Sequence, residues 1–382
     1  MTLKPLFVNA AVVGISLAVG LSLCEVGARL VRNPADYLSV QMVRHAVLGR
    51  EVASNTTGFD EWGFRNPGVP ERADVVAIGD SHTYGNTATM NDSWPLVLGR
   101  LSGQRVYNMG LGGYGPNQYF ALFESRALSL KPRLIIVGLY MGDDFENAYL
   151  ITYGLPHWAY LRRLPPEQVD FDIWQPPPDP TWHRQIRLWL SRHSVVYQML
   201  VHGAIGARVR GELQIRNASR LYEGATTLSV PDKNIHEAFV PEGMARRLDQ
   251  QRADVQEGMR ITFALFAEMH RLANQHGIGF AVAVIPTKEM VFADYLEHDS
   301  TLAMSDTIHN LLANERVARD RVFEFFDGAG IRSVDTLPLL RQRVEQELYV
   351  RHAGDMHPSK NGYRVIAEAI NDGLRLGEHA RR

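Results

Sequence analysis

Cysteine is almost absent from this chain of 382 residues, with Cys24 standing alone. One thiol excludes an intrachain disulfide and a thiolate-rich zinc site, so the fold must rest on its own hydrophobic core. An excess of charge of either sign is also missing. Lys and Arg number 40 against 42 Asp and Glu, for a net charge of -2. Nothing in that balance points to nucleic acid as a partner. Metal-ligand clusters and a phosphate-cradling glycine loop are lacking too, so no cofactor and no metal are expected. Internal repeats, which would signal a solenoid, are not found.

What is present begins with a long apolar run. From Leu6 to Leu23 there is no charge, and the polar side chains are Asn9 and two serines; Lys4 precedes the run, and Glu25, Arg29 and Arg32 follow. An uncharged stretch of about 18 residues or more is long enough to span a bilayer. A cleaved signal peptide instead has an apolar core of about 7–15 residues and a small-x-small exit. Residues 1–32 are therefore expected to form a membrane anchor. The alternatives are a cleaved signal, for which Val26-Gly27-Ala28 is a weak exit, and a buried soluble helix. Leu23 is too bulky for lipid attachment at Cys24. Flanking charge does not fix the orientation, and the commoner arrangement exports everything after the anchor.

Residues 33–70 read as a linker and lead-in loop, ending in the Gly- and Pro-punctuated stretch Gly58 to Pro70. After it, short apolar runs alternate with helical patterns. Val75–Ile78, Arg105–Asn108, Leu134–Tyr140, Phe280–Ile285 and Ile331–Val334 are the candidate strands, apolar throughout where both faces are buried. A helix is expected over Leu248–Gln275, where Met259, Phe263, Phe266 and Leu272 recur at helical spacing, and Gly277 stands where its C-cap belongs. Strands alternating with helices imply an α/β fold with a parallel sheet. From about residue 146 to 241 this rhythm breaks. That interval, with its Pro-rich run Gln175–Pro180 and the aromatic and basic residues of Trp182–Trp189, reads as an insertion of helices and loops. Its aromatics are expected to pack.

Two stretches carry chemistry. In DVVAIGDSHTYG, from Asp74, a buried strand runs into Gly79-Asp80-Ser81, with Gly85 four residues on. A serine at the C-terminal end of a parallel strand stands at the mouth of an α/β sheet, and a following helix offers N–H groups to an oxyanion. The plain alternative is a turn and helix cap. The second stretch, RHAGDMHPSKNGYRVIAEAI from Arg351, places Asp355 and His357 in a polar turn before a helix. A histidine takes a serine proton when a carboxylate holds its other ring nitrogen. His82, adjacent to Ser81, points away from it in most backbones and is the weaker candidate for base.

GDSHTYG resembles the first block of the SGNH/GDSL hydrolases, and DMHPSKNGY resembles their last. NMGLGGYGPNQ (Asn108–Gln118) is similar to the glycine block, with Gly113 as the matching donor, and GLYMGDDFEN (Gly138–Asn147) to the third block. The resemblance covers roughly Gly58–Asn147 and Gly279–Gly373. It implies a flavodoxin-like, doubly wound parallel sheet of about five strands over residues 71–376, with the insertion after the third strand. It also implies a triad of Ser81, His357 and Asp355, and an oxyanion hole at Ser81, Gly113 and position 143. Two departures matter. Position 143, usually asparagine, is Asp143, and a carboxylate repels an oxyanion unless protonated. Asp355 and His357 are two residues apart rather than three, a spacing that the resemblance associates with membrane-bound and polysaccharide-acetylating relatives.

WGFRNPG, IPTKEMVF (Ile285–Phe292) and VDTLPLLR are similar to segments of bacterial anchored members linked to envelope polysaccharide. Lys288 and Glu289 within the second read equally as a solvated pair at a strand end. The resemblance thus implies a single-pass protein of the bacterial cytoplasmic membrane with a periplasmic catalytic domain. The expected activity is ester hydrolysis through an acyl-enzyme on an acylated small molecule or carbohydrate. The alternatives are acyl transfer to a polysaccharide hydroxyl and a non-catalytic carbohydrate-binding domain. Oligomeric state is not legible.

Overall fold

The computed structural model describes residues 4–165, 181–202, 225–298, 305–351 and 354–376, together with 213 and 217. The Pro-rich run Gln175–Pro180 lies outside them. The chain opens with helix α1 (Lys4–Val31), within which Ala11–Val31 has a mean hydropathy of 1.9 and an apolar window with none of its residues buried. It is one helix long and apolar enough to cross a membrane. A hairpin follows, β1 (Met42–His45) against β2 (Gly49–Val52). It buries Leu48 and Val52 against the main core, so the lead-in is structured where a loop was expected.

The next elements are β3 (Val75–Gly79), α2 (Ser81–Tyr84), α3 (Trp94–Ser102), β4 (Val106–Gly110), α4 (Pro116–Ser125), β5 (Leu134–Tyr140) and α5 (Asp144–Gly154). After α6 (Trp182–His193) and α7 (Val195–His202), a second hairpin pairs β6 (Thr226–Val230) with β7 (Ile235–Phe239). Helices α8 (Glu242–Arg247) and α9 (Ala253–Gln275) lead to β8 (Gly279–Ile285), then α10 (Lys288–Val291), α11 (Ala293–His298) and α12 (Asp306–Ala329). The chain ends with β9 (Arg332–Asp335), α13 (Leu337–Gln342) and α14 (Lys360–Leu374).

The five expected strands form one sheet in the order β4-β3-β5-β8-β9, all parallel. Counted along the chain this is 2-1-3-4-5, the flavodoxin-like doubly wound order, whose crevice opens where the first strand has a neighbour on each side. Alternating residues feed the two faces. Val75, Ala77, Ile136 and Ala283 meet Trp94 and Leu98 of α3 and Ile366 and Ile370 of α14. Val76, Ile78, Val137 and Val284 meet Leu122 of α4 and Met259, Phe266 and Met269 of α9. Such two-sided burial is why these strands read as unbroken apolar runs. Helix α9 starts at Ala253 rather than Leu248, because the chain turns at Asp249, whose carbonyl accepts the Arg252 N–H at 3.1 Å. Gly277 follows it at φ 66.

The insertion holds the hairpin β6–β7 besides helices. Its strands are short and joined through Pro231–Lys233 and Asn234 at φ 56, too brief to show a period in sequence. Trp182 and Trp189 are a correction: they are 75% and 59% exposed, and α6 buries none of its residues. They lie with Ile186 on one stripe of the helix, roughly opposite Arg184 and Arg187, and therefore meet no core. The junction of α6 and α7 is tied to the end of α1. Glu25 accepts hydrogen bonds from the Ser194 hydroxyl (2.9 Å) and the Val195 and Val196 N–H groups (2.8 and 3.0 Å), capping α7. Arg29 donates to the His193 carbonyl at 2.6 Å.

Candidate active site

The site is built at the carboxyl ends of β3 and β5. At the end of β3, Gly79 has no room for a side chain: a Cβ would lie 2.0 Å from Thr83 Oγ1. The chain can therefore turn sharply into α2. Asp80 caps that helix by accepting the His82 N–H at 2.9 Å. Ser81 is thus the first helical residue, half-buried, with an N–H that has no acceptor within its own helix.

Opposite it, Asp355 Oδ1 accepts the His357 backbone N–H at 3.0 Å and lies 2.8 Å from His357 Nδ1. The two-residue spacing is thus an Asx turn whose carboxylate serves backbone and ring together. His357 Nε2 lies 2.9 Å from Ser81 Oγ. Asp355, His357 and Ser81 form one line of contacts in which the imidazole, holding its proton on Nδ1, presents a lone pair to the hydroxyl. Burial opposes the imidazolium. The Asp355 hydrogen bond and charge, with the charges of Asp80 and Asp143, outweigh that and raise the His357 pKa above its usual value.

Gly113 is exposed beside this line at φ 70. A Cβ there would collide with the guanidinium of Arg50, reaching across from β2. The same guanidinium donates to the Gly112 carbonyl at 2.8 Å, fixing the glycine turn beside Ser81. Position 143 is close enough for its charge to act on His357. Asp143 is the N-cap residue of α5, yet its side chain makes no capping bond. Its Oδ1 is buried without a hydrogen-bond partner among the described residues. Oxygens of Asp80, Asp143 and Asp144 lie within 4.8 Å of one another. Burial first, then the Asp80 charge, push the Asp143 pKa up to about 7, against the pull of Arg247 and His357. Asp144 is fully buried and pushed well above the usual carboxyl range by burial and by both neighbours. Its oxygens accept from Tyr119 Oη (2.7 Å) and the Tyr140 N–H (2.9 Å). Asp80 is held low: burial opposes its charge, but His82 outweighs burial. Asp80 and Asp144 are thus engaged by His82, Tyr119 and the Tyr140 N–H, while the crowding of three carboxyls favours proton uptake at Asp143 and Asp144.

His82 does not reach the serine. Its Nδ1 lies 3.1 Å from Asp80 Oδ2, and its ring stacks on Tyr140 with centroids 3.7 Å apart. Lys288 and Glu289 are a correction to the solvated reading, being 2% and 4% exposed. Lys288 Nζ forms an ion pair with Glu237 Oε2 of β7 at 2.5 Å and lies over the rings of Phe239 and Tyr349. The hairpin β6–β7 that covers Lys288 had no visible period. Asn86 is the site residue that pattern reading passed over, since it belongs to no block. Its Nδ2 lies 3.4 Å from His357 Nε2. The one available signal was its position directly after Gly85.

Comparison with known proteins places the last part of the chain. Residues 229–381 match a family model described as an SGNH hydrolase-like domain of the acetyltransferase AlgX. No curated protein matches the chain. Similar solved structures include a putative lipolytic protein of the G-D-S-L family from Desulfitobacterium hafniense, at 16% identity and TM-score 0.37, covering 78% of this chain and 98% of the other. An acetylxylan esterase from Geobacillus stearothermophilus is 12% identical at TM-score 0.38, covering 78% and 93%. A GDSL-like lipase from Bacteroides thetaiotaomicron is 12% identical at TM-score 0.35, covering 80% and 88%. Residues 229–381 thus match an SGNH hydrolase-like domain, and the described chain folds as a five-stranded parallel sheet with helices on both faces and a candidate transmembrane helix at its N-terminal end.

Proposed function

We propose that this protein is a membrane-anchored serine enzyme that cleaves or transfers an acyl ester on a carbohydrate, with Ser81 as nucleophile. The observation that carries the reading is the unbroken line from Asp355 through His357 to Ser81, at 2.8 and 2.9 Å. Ser81 Oγ attacks the acyl carbonyl as His357 Nε2 takes its proton. Asp355 fixes the ring tautomer and stabilises the imidazolium. The oxyanion is met by the Ser81 and Gly113 N–H groups. Asp143, in its protonated form, supplies the hydrogen that an asparagine would otherwise give. Collapse of the intermediate releases the alcohol, which takes the proton from Nε2, and leaves an acyl-serine. Water or a second hydroxyl then attacks the acyl carbon, gives its proton to Nε2, and Ser81 leaves with that proton restored.

Hydrolysis and transfer use the same residues and differ only in the oxygen admitted to the acyl-enzyme. The acetyltransferase in the matching family's description supports acyl transfer as the second reading, with a carbohydrate hydroxyl as the acceptor we propose. Helix α1, long and apolar, supports anchoring in a bilayer; the remaining chain on the periplasmic side of the bacterial cytoplasmic membrane is part of the same proposal. The test is to assay the full chain with p-nitrophenyl acetate, with and without an oligosaccharide acceptor. Ser81→Ala is expected to lose at least about 1000-fold in turnover and to lose labelling by a fluorophosphonate. A mutant near wild type would sink the assignment. An acetylated oligosaccharide formed at the expense of acetate would select transfer.

A further inference from the structure

We infer that Asn86 binds the alcohol oxygen of the ester, holding a sugar oxygen beside His357 both when it leaves and when it attacks. The inference rests on the Ser81–His357 reading above and goes beyond it by assigning the alcohol side of the site. During acyl transfer the alcohol oxygen must come within hydrogen-bond reach of His357 Nε2, because that atom gives it a proton or takes one. Asn86 Nδ2 is already 3.4 Å from Nε2, while Ser81 Oγ is 2.9 Å away. A neutral imidazole nitrogen has one lone pair, and the serine hydroxyl uses it. The Asn86 amide is thus left with donor capacity at the place the alcohol oxygen must occupy. An oxygen there accepts from Asn86 while it exchanges a proton with Nε2.

The surrounding backbone holds that amide in place. Asn86 N–H donates to the Ser81 carbonyl at 3.0 Å, and Tyr363 Oη of α14 donates to the Asn86 carbonyl at 2.8 Å. The next residue, Thr87, has φ 69, a left-handed conformation that a β-branched side chain disfavours. Its hydroxyl donates to the Pro358 carbonyl at 2.7 Å, one residue beyond the catalytic histidine. Strained backbone of this kind persists where surrounding contacts over-determine it, commonly at functional sites. Here those contacts lock the nucleophile's loop to the histidine's loop with Asn86 between them.

The alcohol's basicity provides the test. p-Nitrophenolate is a stable leaving group that needs little help, whereas a sugar alkoxide needs both a proton and a hydrogen bond as its bond to carbon breaks. The full chain would be assayed for kcat/KM, which reports the acylation half, on p-nitrophenyl acetate and on a mono-O-acetylated methyl glycoside. Asn86→Ala is expected to lower both, and to lower the glycoside value by at least about tenfold more, within the range of one positioned hydrogen-bonding group. Asn86→Asp keeps the size but loses the donor, so it should show the same selective loss, and it guards against misfolding of the first variant. Equal losses on the two esters in both variants would overturn the inference and leave Asn86 a structural residue. Ser81→Ala, run alongside, separates the premises: if it stayed active, the parent reading would fail first.

Discussion

At Asp143, a carboxyl stands where the resemblance leads one to expect an amide donor, and its surroundings raise its affinity for the proton that would let it donate. With burial and the Asp80 charge holding its pKa at about 7, the protonated form is populated near neutrality and can donate. In the proposed mechanism the base works in the opposite sense: His357 must be neutral, so activity is expected to rise as pH climbs through its raised pKa. Turnover should therefore pass through a maximum near neutral pH and fall as Asp143 ionises. Asp143→Asn is expected to remove the alkaline limb and, above about pH 8, to raise turnover of an acetyl ester about tenfold or more. Stability has a matching sign. A carboxyl whose folded pKa is raised holds a proton that the unfolded chain releases, so its contribution is full below about pH 4 and is lost as pH rises towards 7. The amide variant does not titrate. Its melting temperature should exceed that of wild type at pH 8 and approach it at pH 4. A variant less active at every pH would show that the carboxylate itself is required.

At the scale of elements, the hairpin β6–β7 and helix α10 are joined by a buried charge pair. Lys288 and Glu237 are 2% and 4% exposed and 2.5 Å apart, an ion pair rather than an aligned hydrogen bond. Lys288 also donates to the Ala238 carbonyl at 3.3 Å. Removing one member leaves the other charge buried without compensation. Lys288→Met should therefore cost about 3–5 kcal/mol, read as a lowered urea midpoint, whereas a Lys288→Met/Glu237→Leu double variant should recover most of the loss. If the single variant unfolds like wild type, the pair is not holding hairpin and sheet together. The sequence showed the Lys-Glu dipeptide plainly. Its burial could not be read there, because the partner lies in a five-residue strand whose pairing is set by contacts distant in the chain.

For the whole molecule, the question is where the folded body begins. A chain starting at Val52 would keep every block residue and lose β1, Leu48 and Arg50. Yet Leu48 is buried in the core, and Arg50 fixes the Gly112 carbonyl next to the proposed oxyanion donor. We expect a chain starting at Pro34 to be soluble and active, and one starting at Val52 to lose most of its esterase activity. The full chain should stay with membranes after a high-salt wash, with residues 1–30 included in its mass. A mature N-terminus near Arg29 would instead make α1 a signal peptide.

The amino-acid order alone determined what depends on local period and composition. Strands β3, β5 and β8 are legible because burial on two faces demands continuous apolar residues, and α1 because a bilayer demands length without charge. The blocks around Ser81, Gly113 and His357 are legible because tight turns and a polar cap leave characteristic residues. Only the tertiary structure decided what depends on neighbours from elsewhere in the chain. Ser81 and His357 are 276 residues apart and meet because the two loops that carry them are locked together. Asn86 comes within 3.4 Å of His357 Nε2 by that same closure. The Asp143 carboxyl takes its raised proton affinity from burial and from Asp80, against the pull of Arg247 and His357, groups that come from distant parts of the chain. Charge and burial act through space, and no one-dimensional pattern records which distant groups the fold will bring within a few ångströms of each other.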